Sequence, residues 1–101
     1  MQILDLKNIK RTEGVIYYRR QYSADVELEL PNQIENLPIT FTIETNPIGM
    51  KEFELEIDRY KLNYPLLPIR KALKEFILNK DEQGELPIWY LKQIPQKKLL
   101  L

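Results

Sequence analysis

The chain of 101 residues contains no cysteine and no histidine. Without cysteine there is no disulfide, thiol nucleophile or thiolate ligand, and without histidine the commonest general base and metal ligand is gone. Serine occurs once, as Ser23, which has no histidine to activate it, so a serine–histidine triad is excluded. Glycine is nearly as scarce. Gly14, Gly49 and Gly84 lie too far apart to form a phosphate-cradling loop, and each is better explained by a turn or a helix end. No apolar run approaches the roughly 18 residues a membrane helix needs, and the first seven residues lack the cationic-then-apolar pattern of a secretion signal. These absences lead us to expect a cytoplasmic, non-enzymatic protein with no cofactor, no metal and no membrane partner.

What is present is ordinary for a soluble globular chain: 44% hydrophobic and 30% charged residues. At this length a single domain buries roughly 60 to 70 per cent of its unfolded surface, enough for one modest core. The net charge of zero hides a segregation along the sequence. Residues 1–24 sum to +3, residues 25–58 to −8 and residues 59–101 to +5. An acidic middle between basic ends can neutralise itself within the fold or steer a charged partner.

Residues 65–80 are predicted to form the one helix. Leu66, Ile69, Leu73, Phe76 and Ile77 recur at helical spacing with Ala72 beside them, while Arg70, Lys71, Lys74, Glu75 and Lys80 take the opposite face. Pro68 is tolerated in the first turn, and the polar run from Asn79 to Gly84 offers an ending.

Ahead of the helix the pattern alternates with a period of two. Residues 3–10 and 15–23 are expected to form a hairpin closed by a three-residue loop at Gly14, setting Leu4 opposite Tyr22, Leu6 opposite Arg20 and Lys7 opposite Arg19. Alternation then continues through Ala24, Val26, Leu28 and Leu30. A straight strand from 15 to 30 would span about 50 Å at roughly 3.3 Å per residue, so a bend or bulge is expected near Ser23. Pro31, Asn32, Asn36 and Pro38 are expected to bracket a loop.

Residues 37–45 and 50–59 form a second hairpin around Asn46-Pro47-Ile48-Gly49, a type I turn followed by a glycine bulge. That loop pairs Ile43 with Phe53, Phe41 with Leu55 and Ile39 with Ile57, which puts every apolar residue on one face. The expected fold is α+β: a four- to five-stranded antiparallel meander covered on one face by a single C-terminal helix, with residues 1–85 forming the domain. Residues 86–101 are too apolar for a solvated tail and are expected to dock on their own domain or on a neighbouring subunit.

Three sets of residues are candidates for function. Asp25, Glu27, Glu29, Glu44, Glu52, Glu54, Glu56 and Asp58 share one sheet face, a regular alternation that fits a solvated face or the docking of a basic partner better than a metal or acid–base site. Tyr17, Arg19 and Arg20 belong to a strand that interleaves aromatics with arginines, the residue types that hold single-stranded nucleic acid by stacking and phosphate contacts. Four meander strands followed by a helix also resemble the order in single-stranded nucleic-acid binders of the Whirly and PUR kinds, a likeness of fold alone. Arg20 falls on the inward face and needs a carboxylate, a carbonyl or a route to water. Trp89, Tyr90 and Leu91 are of the type enriched in interface hot spots. The leading expectation is a protein-interaction module that binds another protein or itself as a homodimer or larger homo-oligomer; single-stranded nucleic-acid binding is the alternative.

Overall fold

The computed structural model describes residues 1–13, 18–57 and 64–87. Four strands, β1 (Gln2–Glu13), β2 (Arg19–Leu30), β3 (Gln33–Thr45) and β4 (Lys51–Ile57), form one antiparallel sheet in the order β1-β2-β3-β4, followed by the helix α1 (Leu66–Glu82). The fold is α+β, a four-stranded meander with one C-terminal helix.

The inner sheet face follows from the alternation. Tyr22, Ala24, Val26 and Leu28 of β2 are buried, as are Leu37, Ile39, Phe41 and Ile43 of β3. The two strands pair without a register shift, Tyr22 opposite Phe41, Ala24 opposite Ile39 and Val26 opposite Leu37, so apolar side chains meet across the ladder. The Tyr22 and Phe41 rings stack at 5.0 Å, and Phe41 stacks on Phe53 at 6.1 Å. Against this face α1 presents Ile69, Leu73 and Ile77, all fully buried, with Phe76 partly buried beside them. Arg70, Lys71, Lys74 and Glu75 stay exposed. The helix closes as a Schellman motif: the Gly84 N–H donates to the Asp81 carbonyl and the Glu85 N–H to the Lys80 carbonyl, with Gly84 at φ +71°. Leu86 then returns to the core.

The second hairpin has the expected register, Ile43 opposite Phe53, Phe41 opposite Leu55 and Ile39 opposite Ile57. Its turn is held by the Gly49 N–H donating to the Asn46 carbonyl, and by the Asn46 Oδ1 accepting from Ile48 and Met50 N–H groups.

The first hairpin corrects the sequence reading. Leu6 pairs with Val26, Lys7 with Asp25 and Arg11 with Tyr22, not Leu6 with Arg20 and Lys7 with Arg19. The expected register would set Leu6 against a guanidinium and leave Val26 and Leu28 without apolar neighbours from the first strand; the observed one sets Ile3 opposite Leu28 and Leu6 opposite Val26. The expected tight loop at Gly14 is therefore not the closure, since Arg11 to Glu13 are already paired; Gly14 itself lies outside the described residues.

The irregularity expected near Ser23 lies instead on β1, which shifts register three times against an unbroken β2. At one shift Asn8 takes φ 53° and its amide donates to Asp25 Oδ2 at 2.8 Å. The expected loop from Pro31 to Pro38 shrinks to Pro31-Asn32, with Gln33 already opposite Leu30 and Pro38 inside β3 opposite Asp25. Pro38 is tolerated there because the described part of β4 runs alongside β3 only as far as Ile39, so the missing N–H can face away from a ladder.

Gly49 sits at φ +88°, and a methyl group placed on its Cα would find no atom within 4 Å, so a side chain there would meet backbone strain rather than a clash. We expect Gly49→Val to lower the unfolding free energy by at least about 1 kcal/mol in chemical denaturation. Unchanged stability would contradict the left-handed turn.

Candidate functional site

Arg19 and Arg20 are sequence neighbours on a strand and therefore point to opposite faces. Arg20, paired with Ile43, enters the apolar side at one end of the sheet. Its Nη1 donates to Asp81 Oδ1 at 2.8 Å and its Nη2 to Asp81 Oδ2 at 3.0 Å, a two-pronged pair with the last turn of α1. Nη1 also donates to the Tyr22 hydroxyl at 3.1 Å, giving that buried ring's polar end a partner. Lys51 Nζ, at the start of β4, reaches the same Asp81 carboxylate and, at 3.3 Å, Glu82.

Asp81 is thus enclosed by two cations, with its side chain only 7% exposed. The hydrogen bond from Arg20 holds its carboxyl below the ordinary value, against the opposing effect of burial and with further help from Lys51. The same contact raises both Arg20 and Lys51 above their ordinary values. This cluster is a clasp between helix and sheet, with every partner satisfied. The sequence did carry a signal for it: acids in the last helical turn oppose the helix dipole, so Asp81 and Glu82 need nearby cations.

The outer face is different. Arg19 stands opposite Glu44, Glu44 opposite Glu52, Thr42 opposite Glu54 and Thr40 opposite Glu56. Arg19, Gln21, Thr40, Thr42, Glu54 and Glu56 line a shallow depression, at the floor of which Thr42 is buried. At the β1 side the charge is compensated: Lys7 Nζ lies 3.4 Å from Glu27, and Asn8 holds Asp25. Among the described residues no ion pair reaches Glu44, Glu52, Glu54 or Glu56. Directly opposed like charges destabilise a sheet, so the Glu44–Glu52 pair is retained at a cost.

The candidate nucleic-acid patch is not assembled as expected, because Lys7 stands opposite Asp25, six residues along β2 from Arg19. Tyr17, Trp89, Tyr90, Leu91 and Asp58 lie outside the described residues. Among the described residues no three acidic side chains converge as metal ligands, and no helix is long and apolar enough to cross a membrane.

A known family pattern matches residues 1–82, from the first residue of the chain through the last residue of α1. The chain belongs to the BB-0187 family. The matched stretch takes in all four strands, the Arg20–Asp81 clasp and the open carboxylates, and it stops short of Trp89, Tyr90 and Leu91. No curated protein and no solved structure matches the chain.

Replacing Asp81 by Asn keeps the shape and removes the charge, so Arg20 loses its ionic partner; we expect a loss of roughly 1 to 3 kcal/mol in denaturant unfolding. Because the folded carboxyl is held low, its contribution is complete above about pH 4, the ordinary carboxylate value, and is lost as pH falls from there through the folded value. The parent should therefore lose more stability on acidification than Asp81→Asn. Equal acid sensitivity would show that the clasp contributes nothing.

On the outer face the sign reverses. Glu52→Gln removes one of two opposed charges and should raise stability by about 0.2 to 1 kcal/mol, more at low salt than at high. Thermal unfolding at two ionic strengths measures this, and a loss of stability would mean that Glu52 has an attractive partner.

Proposed function

We propose that the chain is a small non-enzymatic protein-interaction module that docks a cationic protein segment on its open sheet face. The observation that carries this reading is the row Glu44, Glu52, Glu54 and Glu56, set beside and opposite one another on the face away from α1 with no ion pair among the described residues. Lysines or arginines arriving from outside would relieve the repulsion while burying the polar floor at Thr40 and Thr42, so the charge is complementary to a basic partner and sets both its selection and its rate of encounter. The same carboxylates repel a phosphate backbone, which disfavours nucleic acid on this face. Catalysis finds little support there: the row lacks a nucleophile with an activating base.

Titration calorimetry with a deca-lysine peptide, alongside fluorescence anisotropy with a labelled single-stranded oligonucleotide, tests the proposal. Peptide binding should weaken as salt rises and should be abolished by Glu52→Gln combined with Glu54→Gln and Glu56→Gln, while the oligonucleotide binds no tighter than micromolar. Peptide binding unchanged in the triple variant overturns the reading. Submicromolar oligonucleotide binding that is lost in Arg19→Ala establishes nucleic-acid binding in its place.

A further inference from the structure

The end of the sheet that holds the Arg20–Asp81 clasp also carries apolar surface with no cover among the described residues. Ile48 is 80% exposed and Met50 61% exposed, both in the β3–β4 turn, and Tyr18, Glu44, Thr45, Asn46 and Pro47 line a depression at its base. Two such side chains beside a proline in one short turn form a patch that water penalises.

The chain leaves α1 at this same end. Lys51, next in sequence to Met50, touches Asp81 and Glu82, and the Schellman turn at Gly84 then directs Leu86 into the core. Residues 88–101 continue from there; they lie outside the described residues, but their composition is plain. They contain Trp89, Tyr90 and Leu91, then Lys92, Lys97 and Lys98, and no Asp or Glu. From Pro87, Leu91 is four residues on, a reach of up to about 13 Å at roughly 3.3 Å per residue. Aromatic side chains are thus delivered next to an apolar patch, and cationic ones next to the opposed Glu44–Glu52 pair that flanks it.

We propose that residues 88–101 dock within the same molecule on the β3–β4 hairpin tip, with their aromatic residues over Ile48, Met50 and Pro47 and their lysines toward Glu44 and Glu52. This goes beyond the binding of an outside partner, since the occupant is the chain itself and the apolar tip is its anchor. Reach, apolar match and charge complementarity together single out this segment.

Trp89 is the sole tryptophan, so intrinsic tryptophan fluorescence of the full chain reports on this segment alone. The expected result is acrylamide quenching of Trp89 severalfold weaker than in a free peptide of residues 86–101, independent of protein concentration. Ile48→Ser with Met50→Ser should raise it to the peptide's level while circular dichroism and the unfolding temperature show the fold intact. From the tail side, Lys92→Gln with Lys97→Gln and Lys98→Gln should raise it in part, an increase that high salt mimics in the parent. Quenching in the parent equal to the peptide overturns the proposal, as does protection that survives the tip substitutions. Protection lost on dilution, in step with dissociation seen by light scattering, overturns it in favour of docking between two copies.

Discussion

A sheet with one apolar face must have that face covered, and in this chain the cover is a single helix whose placement is fixed at one end by a charge. Arg20 enters the apolar face because it falls on the same alternation as Tyr22 and Ala24. Its guanidinium cannot remain there unpaired. Asp81 meets it from α1 with both oxygens, and Lys51 joins from β4, so helix, second strand and fourth strand converge on one carboxylate. An acid in a last helical turn is unfavourable with respect to the helix dipole; two cations offset that cost, and the contact determines where the helix ends against the sheet. Ile69, Leu73 and Ile77 provide the bulk of the cover, but apolar contacts are non-directional, and it is the ion pair that sets position along the helix.

The edges of the sheet are arranged against strand addition. β1 is bulged, carries Lys7 and Lys10 and turns its backbone at Asn8, while β4 is short and has its Leu55 carbonyl occupied by Arg70 of α1 at 2.9 Å. With the inner face covered and both edges blunted, the outer face and the hairpin tip remain the broad surfaces open to solvent among the described residues. Their characters differ. The face is polar, with carboxylates gathered toward β4, whereas the tip is apolar; the two meet at Glu44 and Glu52.

The two hairpins show where sequence reasoning holds and where it fails. In the second, Asn46, Pro47 and Gly49 specify the turn, and a one-residue slip would expose Ile39, Phe41 and Ile43, so local chemistry and burial demand the same register. In the first, only Gly14 marked a turn, and β1 mixes Leu4, Leu6 and Ile9 with charged residues on both faces. Its register is decided by β2, whose Val26 and Leu28 take Leu6 and Ile3 as neighbours through three shifts that no local pattern announces. The candidate site follows the same division. The acidic row on β3 and β4 was legible as period-two alternation, but the separation of Lys7 from Arg19 depends on the β1 register and was not.

By itself, the sequence determined the fold class, the helix and its apolar stripe, the second hairpin to the residue, and the exclusion of thiol and histidine chemistry, because each rests on composition or on contacts within a few residues. Only the tertiary structure decided the pairing of the first two strands, the unbroken course of β2, and the partner of Arg20. Asp81 is 61 residues away from Arg20, and nothing short of packing the helix on the sheet brings them together. Periodicity states which face a residue occupies. It does not state which residue, from how far along the chain, will stand across from it, because that is chosen by summed burial and by the need of each buried charge for a partner.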